Sequence, residues 1–338
     1  MRSFSISCLF LVFVFSAAAA CAPPTEDQPW VTYEGGDGPG SGRHIVFVSG
    51  DEEYRSEEAL PMLAKIMAVR HGFRATVLFP IDPETGHINP NYQQNIPGLQ
   101  QLEDADLMVL FTRFRDLPED QMEHIVRFIN AGKPIVAFRT ATHAFQFPED
   151  DPYRQYSWNN DQGVWQGGFG RRILGETWVT HHGAHREEST RGLVNGIYQD
   201  RPILNGVTDI WGPTDVYGLR NIQGGADVLV YGQSLSGMEP SAEPNFEKSI
   251  MPIAWTKTYT ADGGSEGRAF VTTMGASVDL ESEDLRRLVV NGMFWGMQME
   301  DQIPEEANVD YVDPYDPTFF GFDEFQQGLT PDDFTLTP

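Results

Sequence analysis

Cysteine is almost absent from this chain: two in 338 residues, Cys8 and Cys21. If cleavage removes the N-terminus ahead of Cys21, one thiol remains, and one thiol excludes an intrachain disulfide in any redox compartment. Positive charge is scarce as well. Twenty-three Lys and Arg face forty-nine Asp and Glu, a formal charge of −26. Such a chain repels phosphate backbones, which excludes a nucleic-acid binder. Beyond the first residues no apolar run reaches spanning length, so membrane contact is expected only through the N-terminus. No HExxH zinc-helix pattern and no internal repeat occurs.

The N-terminus reads as an export signal. Arg2 is a short positive region, Ile6 to Phe15 is mostly apolar, and Ala17-Ala18-Ala19-Ala20 precedes Cys21. The pattern predicts a signal peptide over 1–20 and a lipidated Cys21, giving an exported, membrane-anchored lipoprotein. Ordinary signal cleavage at the same bond is the alternative. Residues 21–42, rich in Pro, Gly and Asp, read as a flexible tether.

The body, 43–304, alternates unbroken apolar runs with amphipathic stretches. HIVFVS (His44 to Ser49), ATVLF (Ala75 to Phe79), DLMVLFT (Asp106 to Thr112) and PIVAF (Pro134 to Phe138) read as buried strands. Ser56 to His71, capped by Ser56 and stopped by Gly72, and Pro118 to Ala131 read as helices. Further strands are expected at Asp227 to Tyr231, Pro252 to Thr256 and Ala269 to Thr273, and a last helix at Glu281 to Gln298. Apolar strands alternating with such helices predict an α/β fold with a doubly wound, mostly parallel sheet. Residues 146–206, rich in Trp and Gly, read as an ordered insertion over the sheet edge. The acidic, aromatic tail, 305–338, reads as irregular chain pinned by its aromatic rings.

In such sheets ligands bind beyond the strand C-terminal ends. Those loops here are Gly50 to Arg55, Arg113 to Asp116 and Arg139 to Phe145. They carry Asp51, Glu52, Arg113, Arg115, Arg139 and His143. A guanidinium suits a carboxylate, a phosphate or a polarised carbonyl, and equally a structural pairing with Asp51, Glu52 or Asp116. His143 suits proton transfer. The window THHGAH, Thr180 to His185, holds three of the eight histidines. On a helix His181 and His185 would share a face as zinc ligands do, but Gly183 and the preceding TWVT predict a strand running into a turn. His182 and His185 are therefore expected to point into the cleft with His143, and a divalent metal at the His181–His185 cluster is the alternative. Trp158, Asn159 and Trp178 are candidate sugar-binding residues at the rim.

GDEEYRSEEALPMLAKI, LFTRFRDLP, AFRTATHAF, LGETWVTHHGAH, WGPTDVYGLR, MPIAWTKTY and LRRLVVNGMFWGM together resemble secreted members of the ThuA-like, trehalose-utilisation family. The resemblance covers about His44 to Pro304. It implies a class I glutamine amidotransferase-like (flavodoxin-like) fold and a role in sugar metabolism, with oxidised 3-keto sugars as the associated substrates. Amidotransfer itself is excluded, because the elbow Arg139-Thr140-Ala141-Thr142-His143 carries no thiol. The chain departs from the resemblance at Phe138-Arg139, where relatives carry a Gly-rich turn and a His.

The expected activity is isomerisation or elimination-type cleavage of a keto-sugar, with His143, His182 and His185 moving protons beside Glu52, and Arg113 and Arg139 stabilising an enolate. Asp51, Arg115, Trp158, Asn159 and Trp178 are expected to hold the substrate. A non-catalytic carbohydrate-binding protein on the same fold is the competing expectation.

Overall fold

A computed structural model describes residues 28–336. The expected signal peptide and Cys21 lie outside the described residues. In chain order the elements are β1 (Trp30–Tyr33), β2 (His44–Gly50), α1 (Ser56–His71), β3 (Arg74–Leu78), β4 (Leu107–Thr112), α2 (Glu119–Asn130), β5 (Ile135–Phe138), β6 (Thr180–His181), β7 (Thr190–Val194), β8 (Ile210–Gly212), β9 (Tyr217–Gly218), β10 (Asp227–Ser234), β11 (Met251–Thr260), β12 (Glu266–Thr272) and α3 (Glu283–Gly296).

Ten strands form one mixed sheet in the order β1-β3-β2-β4-β5-β12-β11-β10-β7-β8. Its middle, β3-β2-β4-β5-β12, is parallel. Every residue of β2, β4 and β5 is buried, as strands covered on both faces require. Helices α1 and α3 pack one face through Leu60, Leu63, Leu288 and Phe294. Helix α2 packs the other through Met122, Ile125 and Ile129.

The mostly parallel expectation needs correction. The β11-β10-β7-β8 wing is antiparallel, and so is the β1 edge. Apolar runs reveal strands but not their direction. The connection between β11 and β12 is short enough for a hairpin, which antiparallel neighbours permit. The insertion is corrected too: β7 lies inside 146–206 and joins the sheet between β10 and β8. So is the tether. Trp30–Tyr33 pairs with β3, burying Val31 and Tyr33.

The start of α1 matters for the site. Arg55 is its N-cap, in the left-handed region at φ 59°, and offers no side-chain cap. Ser56 does not cap the helix as expected. Its hydroxyl bonds Ser49 at 2.8 Å and accepts the Gly50 and Asp51 amides at 3.1 and 2.9 Å. The turn after β2 is thereby tied down from beneath. Gly72 ends the helix, at φ 82°.

Candidate functional site

The parallel strands end along one edge of the sheet, and the turns after β2, β4 and β5 meet there. Asp51 is fully buried and acts as a staple. One carboxylate oxygen accepts the amides of Glu53 (2.8 Å) and Tyr54, and the other accepts the Thr140 hydroxyl. This joins the turn after β2 to the turn after β5. Asp51 is therefore corrected from substrate contact to scaffold. Arg115 is corrected likewise. It is fully buried and donates to Glu52 (3.1 Å) and to the carbonyls of Pro90, Tyr92 and Arg113 at 2.8–3.1 Å. Glu52 is shared between Arg113 and Arg115, so the structural pairing weighed for these arginines is the one the chain adopts.

Arg139 opens the turn after β5 at φ 35° and is also fully buried. Its guanidinium lies 3.9 Å from the Tyr54 ring centroid and 4.5 Å from that of Tyr217. It donates to Thr273 O (2.8 Å), to Thr214 Oγ1 and Asp215 O (3.2 Å each), and to the Asp215 carboxylate (3.2 Å). A group so enclosed supports Asp215 from below and does not reach a ligand, which corrects its expected place as an enolate stabiliser.

Asp215 is the hub. Its Oδ2 receives His181 Nδ1 at 2.7 Å and its Oδ1 receives His185 Nδ1 at 3.0 Å. Burial by itself would raise the Asp215 carboxyl. The two histidine hydrogen bonds and the Arg139 guanidinium outweigh burial and hold it well below the usual carboxylate range. On its far side His185 Nε2 lies 3.3 Å from Glu53 Oε1. Burial first, then the Asp51 charge, push Glu53 up. One ligand atom each from His181, His185 and Asp215 fall within 4.8 Å of one another, a two-histidine, one-carboxylate set that could hold a cation.

His182 is corrected. Its Nε2 donates to Ser249 O at 2.8 Å, away from the cleft. The reason is strand geometry. His181 pairs with Tyr217 across β6 and β9, and successive side chains point to opposite faces. The next turn then brings His185, not His182, back beside His181. Gly183 permits the approach: a Cβ there would stand 2.8 Å from Asp215 Cβ and 3.0 Å from the Val216 amide nitrogen.

His143 is buried and shares a 3.1 Å hydrogen bond with Thr142. Its ring sits among Phe114, Trp178 and Tyr217 at 5.0, 5.7 and 6.1 Å. Burial, then Arg113 and Arg139, hold it well below the usual histidine range, so it is neutral at physiological pH. His143 and His181 line one pocket with Glu53, Arg113, Phe114, Trp178 and Tyr217. At about 40 Å³ it admits a functional group and not a whole sugar. Trp158 stands behind two of these rings, edge to face with Trp178 at 5.7 Å and 5.7 Å from Phe114. Asn159, expected beside them, is exposed and accepts from Arg154 instead. A larger cavity of about 410 Å³ lies between α1 and the C-terminal tail. Among its polar groups Lys65 is paired with Asp313 and Glu58 with Thr318.

Four contributors escaped the sequence reading: Asp215, Glu53, Tyr217 and Phe114. Asp215 and Tyr217 stand inside WGPTDVYGLR, a segment noticed only as a whole, in which Asp215 is the one acid. No cysteine occurs among the described residues, and the elbow hydroxyls are committed, Thr140 to Asp51 and Thr142 to the Arg139 carbonyl.

Comparison with curated proteins gives no match. Among solved structures, a ThuA-like protein from Parabacteroides merdae is similar at 14% identity and a TM-score of 0.47, over 75% of this chain and 90% of its own. Another from Bacteroides uniformis is similar at 12% identity and 0.46, over 77% and 92%. The family model for ThuA, described as trehalose utilisation, matches residues 44–296, which takes in every strand from β2 to β12 and all three helices. On that match the chain belongs to the ThuA trehalose-utilisation family.

Proposed function

We propose that this chain is an exported enzyme of carbohydrate metabolism that moves protons next to the carbonyl of an oxidised sugar, by isomerisation or elimination. The observation that carries this reading is the convergence of His181 with His185 and Asp215, beside a small pocket that His181 lines together with Phe114, Trp178 and Tyr217. Asp215 fixes the orientation of both imidazoles, as a carboxylate does for histidines that ligate a metal or relay a proton. With Arg139 enclosed, Arg113 is the guanidinium left in the pocket lining to meet charge that develops on a substrate oxygen, and a second cation would add to it. A divalent cation that took the place of the histidine–Asp215 hydrogen bonds, held by the two histidines and Asp215, would act there as a Lewis acid. Glu53 and the neutral His143 face the same pocket as proton-transfer groups. Trp158, Trp178 and Phe114 would receive the apolar face of a sugar ring.

The test has two arms. Purified protein is dialysed against Zn²⁺, Mn²⁺ or Co²⁺ and its metal content measured. It is then incubated with 3-keto and plain glucosides and the products read by mass spectrometry. The expected result is about one ion per chain, lost in a His181→Ala, His185→Ala double variant, with turnover confined to keto sugars. Sugar binding without turnover in every metal form would overturn the enzyme and leave the carbohydrate-binding protein, which the same aromatic rim favours. Export through a lipidated Cys21 is part of the proposal and rests on the Ala-Ala-Ala-Ala-Cys stretch.

A further inference from the structure

The family match ends at residue 296, yet the chain beyond it returns to the site. Tyr315 donates to Ser277 O at 2.8 Å, and the Thr318 amide donates to Glu58 at 2.8 Å, which brings the tail across the N-terminal end of α1. There Gly321 is clamped on both sides. Its amide donates to Glu53 O at 2.8 Å, and its carbonyl accepts from Arg55. Phe320 is fully buried, 5.4 Å from Tyr54 and 5.4 Å from His185, edge to face with the imidazole at 61°. Phe322, half exposed, lies 5.0 Å from the Arg113 guanidinium, whose other neighbouring ring is Phe114 at 4.5 Å.

These contacts fall on Glu53 and Arg113, which line the pocket, and on His185, whose ring lies 5.3 Å from that of the pocket residue His181. His185 is fixed by Asp215 on one nitrogen, by Glu53 on the other, and by rings against its faces and edges. The tail supplies one of those rings and grips the backbone of Glu53. An imidazole turns about its χ2 angle unless packing stops it, because that torsion is broad. A guanidinium between two rings keeps its plane, and so the direction of its donors.

We propose that the C-terminal tail is a wall of the site: Phe320 is a positioning residue for His185, and Phe322 caps Arg113 and so sets what the pocket mouth accepts. The proposal deepens the function proposed above, and its test needs no substrate. The full chain is labelled with ¹⁵N and the ring nitrogens of its histidines and the Arg113 Nε–H are followed at one pH. Phe320→Ala is expected to move the His185 ring signals while those of His124, on α2, stay in place. Phe320→Leu keeps the core filled if the alanine variant does not fold, and is expected to move them as well. Phe322→Ala is expected to speed solvent exchange of the Arg113 Nε–H several-fold. Phe334→Ala, which removes a tail anchor stacked on Phe79 at 5.2 Å, is expected to lower the melting temperature and leave the His185 signals alone. Unmoved His185 signals in a folded Phe320 variant would overturn the positioning role. So would an equal shift in Phe334→Ala, since that would mean any loosening of the tail suffices. Unchanged Arg113 exchange in Phe322→Ala would overturn the cap. A failed sugar screen sinks the proposed reaction and touches none of these signals.

Discussion

Asp215 shows how one residue can hold a site and the fold beneath it. It is buried against Arg139, and each is the other's charge partner. Breaking such a pair from one side leaves a buried charge uncompensated and costs about 3–5 kcal/mol. Asp215→Ala is therefore expected to lower stability by that order in urea unfolding, and to abolish cation binding. Stability close to the parent would mean that Arg139 finds other partners. Glu57, in the first turn of α1, behaves differently. It is buried on α1, and neither carboxyl oxygen has a hydrogen-bond partner among the described residues. Burial pushes it from 4.5 up to about 8. A raised carboxyl keeps its proton in the folded chain and gives it up in the unfolded one. Its stabilising contribution is whole below about pH 4.5 and is lost as pH rises through about 8. The shift corresponds to something on the order of 5 kcal/mol. Glu57→Gln is expected to flatten the fall in stability between about pH 5 and 8, read from urea midpoints across pH. A parent-like slope in the variant would assign that fall to other groups.

At the scale of elements the site hangs on the small β6–β9 pair. Thr180 faces Gly218 and His181 faces Tyr217, and the amides of His182 and Gly183 both donate to Val216 O, at 2.9 and 3.0 Å. That double contact turns the chain so that His185 returns to Asp215. A methyl at Gly183 would press on Asp215 and the Val216 amide. Overpacking of this kind costs about 1–3 kcal/mol. Gly183→Ala is expected to weaken cation binding at least tenfold by calorimetry, with far less effect on the melting of the sheet. Equal affinity would show that the hairpin adjusts freely. The larger elements were more legible. The bounds of α1 follow from its apolar face and from Gly72, and β2, β4 and β5 follow from their unbroken apolar runs. β7 was not legible. TRGLV is short, holds a glycine and leaves Leu193 exposed, so it lacks both the alternation and the apolar run that mark a strand.

Over the whole molecule the acid excess dominates. Eleven acids and no Lys or Arg fall between Met299 and Pro338, and the tail is held by basic side chains of the body. Lys65 pairs with Asp313 at 2.6 Å, and Arg286 donates to Val309 O and the Tyr311 hydroxyl. A chain at −26 repels itself, and salt screens that repulsion over a length of about 10 Å at 0.1 M. The melting temperature at pH 7 is expected to rise as NaCl increases from about 10 mM to 0.5 M. A steady fall would mean that the attractive ion pairs outweigh the net repulsion. For the whole chain in its cell, Cys21→Ser is expected to release the protein from the membrane fraction of a bacterial host. A variant that stays bound like the parent would refute the lipid anchor.

The amino-acid sequence by itself determined the α/β class, the family, the absence of a thiol nucleophile at the elbow and the net charge of −26. Each of these is written in composition or in local pattern, since apolar runs, glycine stops and the kind of nucleophile need no partner far along the chain. Only the tertiary structure decided which histidines meet Asp215, and that Arg139 and Asp51 lie beneath the candidate site instead of facing it. Asp215 lies thirty-four residues from His181 and thirty from His185. Their meeting depends on the register of β6 against β9, and a shift of one residue there would present His182 in place of His181. Register is set by packing across the fold, which is why the window Thr180 to His185 marks the candidate site in the sequence but not which of its side chains meet Asp215.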